Sequence, residues 1–117
     1  RRFSISGSSS MPVMIDTNEA RCALTFSGEL NIYNAAETMA QVKTELSKTL
    51  PLHLELAEVD EVDAAGLQIL MAIRLHALSH GVDFQLANPS DAVMDLIELS
   101  DTAGFFGITQ VLTEVAA

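Results

Sequence analysis

The segment from Leu52 to Leu70 decides the fold, and it reads L-H-L-E-L-A-E-V-D-E-V-D-A-A-G-L-Q-I-L. Its first five residues alternate leucine with His53 and Glu55, which predicts a strand with at least one buried face. Asp63 is a favoured N-cap residue and an apolar run follows it, so a helix is predicted to begin there. The acidic residues between the two elements are predicted to form a loop. The segment therefore predicts a strand, an acidic loop and a helix, in that order.

The pattern continues downstream of this segment. The predicted helix runs from Ala64 to His80, and Gly81 stands where a left-handed C-cap residue belongs. Alternating apolar residues over 82–87 predict another strand, and Ser90 is the predicted N-cap of the helix that follows. The apolar residues from Phe105 to Leu112 predict a last, irregular strand.

The residues upstream add two strands and one helix. Strands are predicted over 13–17 and from Arg21 to Ser27. Asn34 is predicted to cap a helix that ends near Lys48, with Glu37 completing a capping-box pair. The element order is then β-β-α-β-α-β-α-β, which predicts parallel strand pairs joined by crossover helices. We therefore expect an α/β fold: a single small domain with a mixed sheet of about four to five strands and helices packed on it.

The composition limits the classes of function. The chain has 117 residues, which suits one domain, and a hydrophobic fraction of 49% that can fill a core. Its net charge is −10, from 16 acidic and 6 basic residues. This charge argues against nucleic acid and against an anionic membrane surface, because both are bound by clustered Lys and Arg. The apolar runs are also too short to span a bilayer, so no membrane insertion is expected.

The cysteine content and the first ten residues bear on location and domain limits. The single cysteine, Cys22, cannot form an intramolecular disulfide, which favours a reducing, cytoplasmic location. Residues 1–10 contain no apolar segment of a secretory signal, and their Gly-Ser-Ser-Ser run is typical of a linker. We therefore expect residues 1–10 to be a tag or a disordered leader, and residues 11–117 to form the domain.

The ordered motifs resemble the STAS family, which includes anti-sigma factor antagonists and the cytoplasmic domains of sulfate transporters. The family's hallmark is a strand, an acidic loop and Asp-Ser/Thr-x-Gly-Leu opening a helix; here that place is taken by Asp63-Ala64-Ala65-Gly66-Leu67. Gly28-Glu29-Leu30-Asn31 resembles the family's Gly-x-Leu-Asp turn, and residues 88–93 and 99–104 resemble its Pro-turn and third helix. The resemblance covers about Val13 to Leu112 and implies the STAS fold and a protein partner.

The resemblance also implies a switch from which this chain departs. In many antagonists of the family, the Ser or Thr after the Asp is phosphorylated by a partner kinase that is also the anti-sigma factor. The phosphoacceptor position is occupied here by Ala64, which has no hydroxyl, and Asn31 replaces the family's turn Asp. Two interpretations of Ala64 stay open: it is natural and marks an unswitched member, or it was engineered from Ser or Thr. The docking surface is retained in both.

The surface implied by the resemblance joins the turn, the helix start and one side of the helix. Its predicted partner-binding residues are Asn31, Asp60, Asp63, Ala64, Ala65, Gly66, Gln68, Ala72 and Leu75. Gly66 serves either close packing or the close approach of a partner. The predicted function is a non-enzymatic, antagonist-like module that binds an anti-sigma factor or a kinase-like regulator in bacterial signalling. The alternatives are a subunit bound to the ATPase of an ABC-type lipid-transport complex, and a chemotaxis-associated STAS protein.

Enzymatic and metal sites are not indicated by the sequence. The nucleophile elbow G-x-S-x-G and the phosphate-binding glycine patterns do not occur. His76 and His80 have the i, i+4 spacing of helical zinc ligands, but no third ligand accompanies them. We therefore expect no enzyme activity, no cofactor and no metal.

A helical wheel of the helix predicted from Ala64 to His80 assigns a core face to Leu67, Leu70, Met71, Ala77 and Leu78, with Arg74 in the same arc.

Overall fold

The computed structural model of the chain describes residues 13–107. Its strands are β1 (Val13–Thr17), β2 (Cys22–Leu30), β3 (Leu52–Val62) and β4 (Phe84–Ala87). They form a four-stranded sheet in the order β1-β2-β3-β4. The β1–β2 pair is antiparallel, whereas the β2–β3 and β3–β4 pairs are parallel. The predicted single α/β domain with a mixed sheet is therefore confirmed.

The helices of the described chain lie on one face of this sheet. They are α1 (Ala35–Leu46), α2 (Ala64–His80), α3 (Asp91–Ser100) and α4 (Ala103–Phe106). Along β3 the leucines Leu52, Leu54 and Leu56 are buried, whereas His53 and Glu55 between them are half-buried. Because neighbouring residues of a strand point to opposite faces, the leucine face is the one that the helices cover. The α1 and α2 helices are the crossovers that connect the parallel strands.

Strand β3 is longer than the sequence predicted, and the predicted acidic loop is wrong. Residues 58–62 continue the strand, because β2 also continues to Leu30 and stays paired with β3. The β2–β3 pairing shifts register near Gly28, whose φ of 75° lies in the region that glycine tolerates best. Val59 is buried within this stretch and holds it to the core. The acidic residues around it therefore lie on a strand and not on a flexible loop.

Three of the four predicted helix caps are confirmed. Asp63 caps α2 through its side chain, and Gly81 ends α2 with a φ of 66°. Ser90 caps α3 through its side chain. Asn34 precedes α1 but makes no side-chain cap, so the predicted capping-box pair is wrong. Its amide group is used elsewhere, in the turn between β2 and α1.

The end of the described chain is a short helix, so the predicted strand from Phe105 is wrong for its first residues. Phe105 and Phe106 belong to α4, and residues 108–112 of the predicted strand lie outside the described residues. Arg74 fixes this helix by donating from Nε to the Phe105 carbonyl at 2.9 Å. Its guanidinium also lies 5.0 Å from the centroid of the Phe84 ring. These two contacts explain why a cationic residue is tolerated among the apolar residues of α2.

The α2 helix is apolar around most of its circumference. Its buried residues are Gly66, Leu67, Ile69, Leu70, Ile73 and Ala77. Leu78 was predicted to lie in the core but is 54% exposed, and Met71 is half-buried. The reason is that the buried arc is centred on Ile73 and Ala77, and Leu78 lies about 100° around the helix from Ala77. None of the helices within residues 13–107 has the length and apolarity that a membrane crossing needs.

Candidate partner-docking surface

The turn after β2 and the start of α2 meet at one edge of the sheet, where the parallel strands β2 and β3 both end. Leu30 closes β2 and Asp63 follows β3. The Asp63 backbone N–H donates to the Leu30 carbonyl at 3.2 Å, which joins the two chain segments. Residues 31–34 and 63–66 are therefore neighbours in space, although thirty residues separate them in sequence.

The Asp63 carboxylate strengthens this connection on both sides. Its Oδ1 accepts a hydrogen bond from the Gly66 N–H at 3.0 Å, which is the N-cap bond of α2. Its Oδ2 accepts from the Ile32 N–H at 3.2 Å, in the turn after β2. One side chain thus caps the helix and also fixes the neighbouring turn. The structure gives Asp63 a positioning role in addition to its capping role.

The turn itself is held by its own two asparagines. The Asn34 N–H donates to the Asn31 carbonyl, and the Asn31 N–H donates to the Asn34 side-chain oxygen at 3.0 Å. The Asn31 side-chain oxygen accepts from the Tyr33 N–H at 2.9 Å, and its amide nitrogen donates to Glu29. The Asn34 amide nitrogen donates to the Glu29 carbonyl at 2.8 Å. The two central residues, Ile32 and Tyr33, are therefore presented by a turn of fixed conformation.

Those two central residues are strongly exposed. Ile32 is 67% exposed and Tyr33 is 92% exposed, beside the Asp63 carboxylate that bonds to the Ile32 N–H. The sequence reasoning did not include either residue in the site. The sequence does contain a signal for an exposed apolar contact here, because two large side chains lie between two asparagines in a segment that is otherwise typical of a turn.

The residues that open α2 differ in their accessibility. Ala64 is exposed, Ala65 is half-buried and Gly66 is buried. A Cβ atom added to Gly66 would overlap the Leu30 carbonyl oxygen and would lie 2.8 Å from Cγ2 of Val62. Glycine is therefore required here for close packing of α2 against the end of β2, which was one of its two predicted roles. The accessible part of this segment is the methyl group of Ala64.

The outer side of α2 extends the surface along the helix. Gln68 and Leu75 are exposed, and Ala72 is half-buried, as expected for the predicted contact side. Leu75 and Leu78 are each 54% exposed, so Leu78 adds to the apolar area that the sequence placed in the core. Arg74 is the only Asp, Glu, Lys or Arg residue of α2, and it is used by α4. The outer side of α2 is therefore uncharged and partly apolar.

Carboxylates lie along the second half of β3 and at the end of β2, the strand segments that lead to the helix start and the turn. Asp60 is exposed, as are its neighbours Glu58 and Glu61 on β3 and Glu29 on β2. No ion pair involves these four side chains within residues 13–107. We call Glu29, Glu58, Asp60 and Glu61 the acidic rim. No group of three His, Cys, Asp or Glu side chains in the described chain is arranged to hold a metal ion.

The two helical histidines make other contacts. The His76 and His80 rings stack with their centroids 4.1 Å apart. Each ring donates a hydrogen bond to a backbone carbonyl at 3.0 Å, from His76 to Leu46 and from His80 to His76. The first of these bonds ties α2 to the end of α1. A packing role therefore accounts for the i, i+4 spacing of the two residues.

The family assignment follows from comparison with known proteins. The STAS_2 family, described as "Mlab, STAS domain", matches residues 13–113 of the chain. Because this match spans most of the sequence, the chain belongs to this STAS domain family.

Solved structures of similar fold include several anti-sigma factor antagonists. A Thermotoga maritima protein classed as an anti-sigma factor antagonist is 25% identical, with a TM-score of 0.73 over 90% of this chain and 95% of that one. An anti-sigma factor antagonist from Mycobacterium paratuberculosis is 20% identical, with a TM-score of 0.73 over 90% of this chain and 93% of that one. Phosphorylated SpoIIAA from Bacillus is 12% identical, with a TM-score of 0.65 over 80% and 86% of the two chains. The predicted STAS fold is thus confirmed.

Proposed function

We propose that the chain is a non-enzymatic protein-interaction module of the antagonist type, which binds an anti-sigma factor or a kinase-like regulator in the cytoplasm of a bacterium and so takes part in transcription regulation. One observation carries this proposal: Asp63 holds the exposed start of α2 against a rigid turn with two exposed apolar side chains. This surface offers shape, apolar area and hydrogen-bonding groups, which are the requirements of protein recognition.

The predicted partner-binding residues form two groups: those that would contact the partner and those that would position the contacting residues. Asp60, Ala64, Gln68 and Leu75 are exposed and would contact the partner directly. The half-buried Asn31, Ala65 and Ala72 would contribute at its edge, and the buried Gly66 and the bridging Asp63 would set the position of the helix start.

Ala64 makes the docking of this module constant. Its methyl group cannot accept a phosphate, so no kinase can add charge at this position. In family members with a hydroxyl there, a phosphate would add roughly −1.5 to −2 of charge to the centre of the surface and oppose docking. The proposed module is therefore permanently in the state that binds.

The test of this proposal is a capture experiment followed by calorimetry. The tagged chain would be used to capture proteins from a lysate of its source organism, and a captured anti-sigma factor or kinase-like regulator would be purified for titration. We expect Ala64→Glu to weaken this binding by about 30-fold or more, because a carboxylate would be desolvated without a partner at the centre of the contact. Folding should not suffer, because a carboxylate in the first turn of a helix interacts favourably with the helix dipole.

Two control variants test whether the loss of affinity depends on the added charge and on its position in the structure. Ala64→Gln adds the same volume without charge, and it should weaken binding less than Ala64→Glu. Leu99→Glu adds the same charge at an 84% exposed position on α3, and it should leave the affinity unchanged. An unaltered affinity for Ala64→Glu would rule out docking through the start of α2.

A second candidate function uses the same surface. The matching family is described by the name Mlab and not as an anti-sigma factor antagonist, and on this observation we keep the proposal of a subunit bound to the ATPase of an ABC-type lipid-transport complex. The capture experiment distinguishes the two, because an ATPase would be recovered in place of a kinase-like regulator. Ala64→Ser adds a second criterion, since only a kinase partner would transfer phosphate from ATP to that variant.

A further inference from the structure

We infer that Ile32 and Tyr33 anchor the partner, and that the partner presents an apolar pocket bordered by Lys and Arg. This inference rests on the proposed function and specifies the chemistry of the partner. It concerns two residues that the STAS motif does not include, and it follows from three features of the turn and its surroundings.

The first feature is the exposure of large side chains in a turn whose backbone is held by hydrogen bonds. Tyr33, the only tyrosine of the chain, is 92% exposed, and Ile32 beside it is 67% exposed. The backbone that carries them is fixed by Asn31, Asn34 and Asp63. A backbone that is already fixed loses little conformational freedom on binding, and tyrosine is enriched among the residues that dominate binding energies.

The second feature is the charge around the turn. The acidic rim contributes four carboxylates, and Asp63, which follows β3, adds another that already accepts hydrogen bonds from two N–H groups. The basic residues of the described chain are Arg21, Lys43, Lys48 and Arg74. Arg21 precedes β2, at its opposite end, and Lys43 lies in the last turn of α1 with Lys48 beyond it. Arg74 lies ten residues along α2 from Ala64, which is about 15 Å.

The third feature is a like-charge pair within the acidic rim that has no ion-pair partner among residues 13–107. Glu29 and Glu61 are directly opposite each other in the parallel pairing of β2 and β3. Like charges at opposed positions of neighbouring strands destabilise a sheet. A partner that places a cationic side chain over this pair would relieve the repulsion on binding. This argues for a basic partner surface and against a second copy of this chain, whose own acidic rim would face the first.

Photo-crosslinking tests the anchoring role directly in cells of the source organism. The photoreactive amino acid p-benzoylphenylalanine would replace Tyr33, Leu75 or Leu99 in separate full-length chains. We expect the first two positions to crosslink to the same protein and position 99 to give no crosslink, since Leu99 lies on α3, away from the turn. The partner peptide crosslinked at position 33 should contain Lys or Arg beside apolar residues.

Titration with that purified partner gives the magnitudes. Tyr33→Ala should weaken binding by about 30-fold, as expected for a dominant aromatic contact, whereas Leu99→Ala should have no effect. Affinity should fall as NaCl rises from about 0.05 M to about 0.5 M, because salt screens the attraction between the rim and a basic partner. Glu61→Gln should weaken binding and reduce the salt dependence of the affinity, because it removes one carboxylate from the acidic rim. It should also raise the melting temperature of the free domain, because it removes the repulsion between Glu61 and Glu29. A charge-matched change on α3, Glu98→Gln, should alter neither affinity nor salt dependence.

The outcomes separate this inference from the proposed function. A crosslink from position 75 without one from position 33, or full affinity for Tyr33→Ala, overturns the anchoring role and leaves antagonist-type docking intact. A crosslink to a second copy of the chain, or an affinity independent of salt, overturns the basic partner. If neither position 33 nor position 75 crosslinks to any protein, both proposals fail.

Discussion

Replacing Gly66 by alanine is the most direct test of how the fold positions its site. An added Cβ atom would overlap the Leu30 carbonyl oxygen, and it would lie 2.8 Å from Cγ2 of Val62 and 3.0 Å from the Leu30 carbonyl carbon. The Val62 side chain can shift, but the carbonyl cannot, because it ends β2 and accepts the Asp63 N–H at 3.2 Å. The first turn of α2 must therefore move away from the sheet.

The magnitude follows from two opposing effects. Alanine in place of glycine inside a helix contributes about 1 kcal/mol of stability through helix propensity. Overpacking a filled contact costs about 1–3 kcal/mol, and a backbone obstacle places the cost at the upper end. We expect a net loss of about 1–2 kcal/mol, which lowers the melting temperature of a domain of this size by about 5–15 °C. Thermal unfolding followed by far-UV circular dichroism measures it, with urea unfolding as the equilibrium check.

Gly104→Ala is the matched control. Gly104 lies in α4, and a Cβ atom added there meets nothing within 4 Å. The same chemical change should leave the melting temperature unchanged or raise it slightly. A Gly66→Ala domain as stable as the unchanged one would show that the start of α2 is free to move. The proposed rigid junction between α2 and the turn after β2 would then be wrong.

Further predictions concern two threonine hydroxyls and the buried thiol of Cys22. The hydroxyl of Thr38 is buried and has no hydrogen-bond partner among residues 13–107, so Thr38→Val should raise the free energy of unfolding by about 1 kcal/mol. Thr17→Val should lower the free energy of unfolding by a similar amount, because the Thr17 hydroxyl donates a hydrogen bond to Glu45 at 2.8 Å. Urea unfolding measures both variants. A change of stability in the same direction for both would contradict this explanation. Burial raises the pKa of the Cys22 thiol above its ordinary value of 9.0, so the native domain should react with thiol reagents only as fast as it unfolds. The unfolded chain releases this proton first as the pH rises, so stability should decline above about pH 9, and Cys22→Ala should remove that part of the decline.

The elements that could be predicted from sequence are those whose signal is local. Period-two alternation identified the first half of β3, and N-cap and C-cap chemistry gave the limits of α2 at Asp63 and Gly81. The second half of β3 has no such signal, since acidic residues surround the buried Val59. It is a strand because β2 pairs with it through shifts in register, and pairing between distant segments is not encoded in either segment alone.

The candidate site, too, could be predicted only where its sequence signal is local. The motif around Asp63 identified the helix start, but the turn that Asp63 also binds lies thirty-one residues earlier. Asn34 was predicted to cap α1 because it is a good capping residue, yet its amide bonds to Asn31 and to Glu29. Asparagine forms both kinds of contact, and only the position of the neighbouring strand decides which one occurs.

The two departures of this chain from the family pattern act in the same direction. Asn31 stands where the family has an Asp, and its side chain both accepts from the Tyr33 N–H and donates to Glu29. A carboxylate at position 31 could accept but not donate, and it would repel Glu29. Ala64 likewise excludes the charge that a phosphate would bring. Asn31 thus removes a negative charge from the surface and Ala64 prevents one from being added, while the acidic rim keeps its own. Both positions fit the proposed constant docking, in which apolar side chains such as Ile32 and Tyr33 would supply affinity and the acidic rim would supply orientation.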